Sequence, residues 1–269
     1  MKKISLLLFG VSVALCSMSQ EVTGLLGAFP PEVALLQKKI VNKKDTLIQR
    51  LRFTTGLLNG RAVVLAQTGM GKVNAAITTT LMIEHFKLHE IIFSGIAGGI
   101  DTSLAPGDIV IATAVAYHDY GSVTDTGMVY IPSRSAVTMQ ANPLYFTCDS
   151  GLVNKANTAA AGLSLGKLPR NGGMAAPAIK KGIIVTGDVF VSAESLTNHL
   201  RNTMHATATE MEGAAIAQTC WQQNVPFLVI RSISDKADGK ARKDMMSFLG
   251  VAAQNAAMLV AGIVTELAK

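Results

Sequence analysis

Phe53-Thr54-Thr55-Gly56-Leu57-Leu58-Asn59-Gly60-Arg61-Ala62-Val63-Val64-Leu65-Ala66-Gln67 sets two apolar runs on either side of Asn59-Gly60. Asn-Gly tolerates the left-handed backbone of a tight turn, so the runs read as an antiparallel hairpin. Downstream, Val73 to His85 carries Ala, Ile, Leu and Met at helical spacing. Glu90 to Ser94 is then a strand running into Gly95-Ile96-Ala97-Gly98-Gly99. Upstream, Val22 to Phe29 reads as a short strand ending in a Pro30-Pro31 turn, and Glu32 to Ile40 as a helix. Further strands are expected at Asp108 to Val115 (started by Pro106-Gly107), Gly182 to Thr186 and Pro226 to Ile230. Helices are expected at Ser150 to Leu163, Thr209 to Gln223 and Met245 to Leu267. The stretch 122–181 is mixed, and Leu168 to Lys181 has no clear period and reads as a loop. Strands alternating with helices predict an α/β fold, a three-layer αβα sandwich. The hairpin makes its central sheet mixed rather than all parallel.

Composition agrees. The chain has 269 residues, 49% of them hydrophobic, 16% charged and 5% aromatic. That excludes a disordered chain, which needs low hydrophobicity and high net charge. Three cysteines exclude a disulfide framework. The formal charge of +6 invites a nucleic-acid reading. The positives are scattered (Lys38, Lys39, Lys43, Lys44, Lys180, Lys181, Lys240, Arg242, Lys243), without interleaved aromatics on which bases stack. No nucleic-acid partner is expected.

Met1-Lys2-Lys3 is a short basic start, and Ile4 to Cys16 is a nearly all-apolar run of 13 residues. Ser17 and Ser19 place small residues before Gln20. This is the pattern of a secretory signal at 1–19, and its apolar run is shorter than the roughly 20 residues of a spanning helix. Cleavage would remove two lysines, lower the charge to +4 and leave residues 20–269 as a single domain without stable membrane association. Of the remaining Cys148 and Cys220, buried thiols are the expected state, with one disulfide as the alternative.

Two phosphate motifs fail. In Gln67-Thr68-Gly69-Met70-Gly71-Lys72-Val73, Ala66 and Val73 stand where a P-loop needs Gly and Ser/Thr. Asn74 replaces the third glycine of a dinucleotide fingerprint. The five histidines have no metal-ligand spacing, so no metal or cofactor is expected.

Three acids stand out: Glu32 just after the first strand, Glu212 at the mouth of an otherwise apolar helix, and Asp235 after the strand PFLVIR. Ligands of open α/β sheets bind beyond the carboxyl ends of the strands, so all three can face one crevice. Singly, Glu32 and Glu212 also read as dipole-favoured helix starts, and Asp235 as a cap.

Together the motifs carry more. Gly27-Ala28-Phe29-Pro30-Pro31-Glu32-Val33, Ser94-Gly95-Ile96-Ala97-Gly98-Gly99, Pro106-Gly107-Asp108-Ile109-Val110, Gly187-Asp188-Val189-Phe190-Val191, Glu210-Met211-Glu212-Gly213-Ala214-Ala215 and Arg231-Ser232-Ile233-Ser234-Asp235 occur in this order. The order resembles that of bacterial 5′-methylthioadenosine/S-adenosylhomocysteine nucleosidases, of the purine nucleoside phosphorylase/uridine phosphorylase superfamily. The likeness spans about residues 22–267 and implies a nucleoside phosphorylase-like fold. It implies a hydrolase that releases adenine from 5′-substituted adenosines, with purine nucleoside and water as partners, no cofactor and a homodimeric assembly.

By this resemblance Asp235 protonates N7 of the purine, Ser234 orients it, and Glu32 is the base that activates water. Glu212 binds the ribose hydroxyls and favours the cationic sugar. Asp235 then needs a raised pKa while Glu32 stays charged. Phe190 stacks on the purine, the Val191 backbone reads its edge and Met211 packs under the ribose. Phe29, Met70, Ile96, Ala97 and Gly98 line the sugar and water site, and Glu210 joins the substrate-binding set. For Met70 and Phe29 plain core packing is the alternative.

The chain departs from the family at Ile96, an apolar residue that suits sugar and water but not phosphate. It departs also in the longer run from Tyr117 to Lys181, a region that in relatives covers the 5′ substituent or forms the dimer contact. The signal implies an exported, periplasmic protein. Two rivals share the scaffold. A phosphorylase needs a phosphate site with an arginine before the Gly95 turn, where Phe93-Ser94 stand. A non-catalytic nucleoside-binding protein has no need of all three acids.

Overall fold

The computed structural model describes residues 21–125, 127–170 and 173–269; the signal-like segment 1–19 lies outside them. The chain runs β1 (Val22–Gly27), α1 (Pro30–Lys39), β2 (Val41–Ile48), β3 (Leu51–Leu58), β4 (Arg61–Gln67), α2 (Lys72–His85) and β5 (Leu88–Gly99). It continues β6 (Ile109–Tyr117), β7 (Gly121–Thr124), β8 (Gly127–Tyr130), β9 (Phe146–Thr147), α3 (Ser150–Ala161), β10 (Leu168–Arg170) and β11 (Gly173–Ala175). It closes with β12 (Ile179–Thr186), α4 (Glu194–Met204), β13 (Ala206–Glu210), α5 (Gly213–Gln222), β14 (Phe227–Asp235) and α6 (Ala241–Leu267).

The main sheet has the order β13-β12-β6-β14-β5-β1-β4-β3-β2, with β9 beside β6. It is mixed. β1 pairs parallel with β4 and β5, whereas β3 pairs antiparallel with β4 across Asn59-Gly60. Asn59 and Gly60 take φ +50° and +87°, the left-handed values that the turn requires. The sheet also bends back on itself. β13 at one end reaches β5, pairing Ala208 with Gly99 and Thr209 with Gly98. β5, β14, β6, β12 and β13 therefore form a closed ring of strands.

Helices α1, α3 and α6 pack together on the sheet, and α2 and α5 form a second group. Every residue of β14 is buried, as expected for a strand with layers on both faces. Leu25, Ile91, Ile92, Phe93, Leu228 and Ile230 are sealed at the centre of this core. Truncating Phe93 to alanine there costs about 3–5 kcal/mol. Helix α6 is long and apolar enough to cross a membrane, yet over half of its most apolar window is buried within the fold. Cys148 and Cys220 are buried free thiols, so no bridge joins them.

The structure corrects several boundaries. Pro30 and Pro31 form no turn; they are the first helical residues of α1, where a missing N–H costs nothing. Thr209 and Glu210 end strand β13 rather than starting a helix, because Thr209 is paired with Gly98 and Glu210 with Thr186. Within Leu168 to Lys181, read as a loop, Leu168–Arg170 and Gly173–Ala175 pair antiparallel as β10 and β11, and Ile179 already begins β12. Arg170 ties β10 to Asp108 at 2.6 Å. Elements β2 and α4 and the start of β13 have no counterpart in the sequence reading.

Candidate active site

A cavity of about 690 Å³ opens where β1, β5, β13 and β14 end. Glu32, Glu212 and Asp235 all line it, as do Phe29, Met70, Ile96, Ala97, Gly98, Phe190, Val191, Glu210, Met211 and Ser234. Every site residue expected from sequence thus reaches one chamber. Val189, Thr209, Arg242, Met245, Met246 and Leu249 line it as well, and the sequence reading did not nominate them. Met70 is 65% exposed on the rim, so core packing does not explain it. Among the described residues, none from 117–181 lines the cavity; its apolar end is closed by α6 instead.

Glu32 stands in the first turn of α1, where its backbone faces the positive end of the helix. Its Oε2 accepts from Ala28 N–H at 2.5 Å and Phe29 N–H at 3.3 Å, and its Oε1 from Ile96 N–H at 2.8 Å. Burial pushes its pKa up; Arg231 and these amides pull it down. Desolvation outweighs these helpers, so the net shift is upward.

Asp235 is the last residue of β14. Its Oδ2 accepts from the Ser234 hydroxyl at 2.7 Å and its Oδ1 from Ala237 N–H at 2.9 Å. Burial raises its pKa; Ser234 and Ala237 only moderate the rise, while Asp244 and Asp238 add to it. Such a carboxyl is suited to hold a proton.

Glu212 caps the N-terminus of α5. Its Oε1 accepts from Gly71 N–H at 2.8 Å, so the turn before α2 fixes it from outside. Burial and then the Glu210 charge push its pKa up to about 7, against Arg231. The Glu212 wall of the cavity therefore changes protonation near neutral pH.

Arg231 is the residue that sequence reasoning quoted without assigning. It lies midway along β14, fully buried, with its guanidinium 3.9 Å above the Phe93 ring. Nη2 pairs with Glu210 and lies 3.3 Å from Glu212 Oε2; Nη1 lies 3.6 Å from Glu32 Oε1. Burial opposes its charge, but Glu210, Glu32 and Glu212 outweigh burial and raise its pKa. The planar fork suits this three-way contact, which a lysine cannot reproduce. The signal available in sequence was a lone cation inside the apolar run FLVIRSIS.

Glu210 corrects one expectation. Its carboxylate accepts from Gly213 N–H at 2.8 and 2.9 Å, from Glu212 N–H at 3.1 Å, from the Thr186 hydroxyl and from Arg231. Its lone pairs are taken, so it holds Arg231 and the start of α5 rather than substrate. Gly95 makes room for the assembly: a Cβ there would strike the Arg231 guanidinium and the Glu32 carboxylate.

Comparison with known proteins agrees with this geometry. The family model described as "Phosphorylase superfamily" matches residues 22–265. The 5′-methylthioadenosine/S-adenosylhomocysteine nucleosidase of Staphylococcus aureus (strain NCTC 8325 / PS 47) is 37% identical over 247 residues, 91% of this chain and 99% of that protein. The crystal structure of the Neisseria meningitidis nucleosidase in complex with methylthio-immucillin-A aligns with a TM-score of 0.78 at 37% identity, covering 91% of this chain and 99% of that one. The Colwellia psychrerythraea nucleosidase in complex with adenine aligns at 0.80 and 36% identity, covering 92% of this chain and 96% of that one. With the family model spanning nearly all of the described chain and these relatives above 35% identity, the chain belongs to the phosphorylase superfamily and, within it, to the 5′-methylthioadenosine/S-adenosylhomocysteine nucleosidases.

Proposed function

We infer that the protein hydrolyses the N-ribosidic bond of 5′-substituted adenosines, with 5′-methylthioadenosine and S-adenosylhomocysteine as substrates and adenine and the free thioribose as products. One observation carries the reading: three buried carboxylates share one cavity, with Arg231 set against Glu32 and, among the described residues, no ion pair to Asp235.

The chemistry follows from that asymmetry. Asp235, its pKa raised by burial, donates its proton to N7 as the C1′–N9 bond breaks. Ser234 keeps the carboxyl oriented. Positive charge develops on the sugar, and Glu212 stabilises it while accepting from the ribose hydroxyls. Water attacks C1′ and gives a proton to Glu32, whose ionised form Arg231 and three amides support. Phe190 and Val191 hold the base, and Met211, Ile96, Ala97 and Gly98 the sugar. The apolar end made by Phe29, Met245, Met246 and Leu249 suits a thioether at C5′.

Phosphate is a poor fit as nucleophile. Arg231, the cation beside Glu32, is enclosed by three glutamates, and an anion would face Glu32. The test is adenine release by purified protein from a panel of 5′-substituted adenosines, with and without phosphate. Free thioribose in both conditions supports hydrolysis. A sugar 1-phosphate formed only with phosphate means a phosphorylase, and binding without turnover means a nucleoside-binding protein.

Two further readings rest on sequence and resemblance. The basic, apolar and small-residue pattern of 1–19 supports export to a periplasm, which fractionation of a producing bacterium tests. A homodimer, as the resemblance implies, is tested by sedimentation of the purified chain.

A further inference from the structure

The turn Gln67–Val73 matches no phosphate motif, and the structure gives its lysine a different set of partners. Lys72 Nζ lies 2.7 Å from both carboxylate oxygens of Asp119 and 3.7 Å from Asp188 Oδ2. The Lys72 backbone N–H donates to Asp188 Oδ1 at 2.8 Å. The Asp188 N–H donates to Asp119 Oδ2, also at 2.8 Å. Three residues therefore close a ring, joining the start of α2 (Lys72), the chain after β6 (Asp119) and the chain after β12 (Asp188).

Two glycines permit the approach. A Cβ on Gly71, at φ +91°, would sit 3.1 Å from Asp188 Oδ1. A Cβ on Gly187 would sit 3.0 Å from Asp119 Cγ and closer still to the His118 ring. The ring also touches the cavity on both sides. Gly71, next to Lys72, donates its N–H to Glu212, and Met70 lines the rim. Asp188 stands two residues before Phe190, which is 39% exposed and so is held only weakly by the core.

We propose that Lys72, Asp119 and Asp188 are positioning residues: they latch the Phe190 loop to the turn that holds Glu212, fixing purine and ribose contacts as one unit. This rests on the nucleosidase reading above for the identity of the ligand. Ion pairs this exposed contribute little to folding (Lys72 and Asp119 side chains are 23% and 22% exposed, Asp188 46%). Their effect falls instead on loop placement, where small displacements change binding and rate.

The experiment compares wild type with Lys72→Met, Lys72→Arg and Asp119→Asn. Adenine affinity is measured by calorimetry from roughly 0.05 to 0.5 M salt, a range that weakens partly exposed ion pairs. Adenine release and thermal melting are followed in parallel. Lys72→Met is expected to weaken adenine binding and raise KM about tenfold, with melting close to wild type. Lys72→Arg keeps most of the affinity. Wild-type affinity falls with salt, and that of Lys72→Met does not. The latch is overturned if Lys72→Met or Asp119→Asn, folded by melting, binds adenine like wild type, or if Lys72→Arg is as weak as Lys72→Met and wild type shows no salt dependence. Wild-type turnover tests the nucleosidase reading separately: adenine binding without release sinks that reading and leaves the latch standing on its affinities.

Discussion

Arg231 Nη1 lies 3.6 Å from Glu32 Oε1, and both side chains are only 1% exposed. A charge pair so enclosed sets the protonation of the proposed base. Glu32 is pushed up by burial and held in check by this guanidinium.

Replacing Arg231 by Gln removes the check. The acidic limb of kcat/KM, which reports the base in the free enzyme, is expected to move to higher pH. Stability also falls, by about 3–5 kcal/mol, because three buried glutamates lose their counter-charge. A pH–rate profile and a denaturant melt read the two effects. An unshifted acidic limb sinks the assignment of Glu32 as base.

Asp235→Asn removes the proton donor and keeps the shape. Adenine release is expected to fall by about 10²–10⁴-fold, the usual contribution of a positioned acid. Glu32→Gln is expected to fall by a similar factor. A nucleoside with a better leaving group should lose less in Asp235→Asn than in Glu32→Gln. Equal losses on both substrates would contradict the division of roles.

Glu212 ties stability to pH. Its folded pKa, about 7, stands above its ordinary 4.5, so the folded state binds the extra proton. The resulting stability is complete below the ordinary value and is lost as pH rises through about 7. Glu32 and Asp235 shift in the same direction. Melting temperature should therefore decline from pH 5.5 to pH 8, and less steeply in Glu212→Gln. A variant with the wild-type slope would show that Glu212 is not the group responsible.

Gly95→Ala tests packing at the centre of the site. The added methyl meets the Arg231 guanidinium and the Glu32 carboxylate. Overpacking of this kind costs about 1–3 kcal/mol, and displacement of the base lowers kcat by more than about 10²-fold. Wild-type turnover in a folded Gly95→Ala protein would refute the described geometry.

Much of this was legible in sequence, for identifiable reasons. Asn59-Gly60 dictates its own turn, and the short apolar runs Ile91-Ile92-Phe93 and Phe227-Leu228-Val229-Ile230 read as strands of a covered sheet. Convergence of strand ends allowed Glu32, Glu212 and Asp235 to share one crevice, but each alone also read as a helix start or cap, and the resemblance of the ordered motifs gave the three their roles. β2 was not, since VNKKDTLI has charges where alternation should show. β13 was not, since ATATE holds no large apolar residue and is recruited by its pairing with β12 and β5. The lining from Met245, Met246 and Leu249 was hidden in a helix whose period does not say which stripe faces a cavity. The convergence of three glutamates on Arg231 depends on contacts between distant segments, which spacing along the chain does not encode.

The ring of strands in the main sheet has a consequence for self-association. Because β13 returns to β5, that end offers no free row of backbone donors and acceptors to another chain. The other end of the sheet terminates in β2, whose Lys43, Lys44 and Asp45 are exposed. An incoming strand would have to bring its backbone past two ammonium groups and a carboxylate. Apart from the two-residue β9 beside β6, the fold thus leaves the described main sheet one charged border, guarded against strand-to-strand growth.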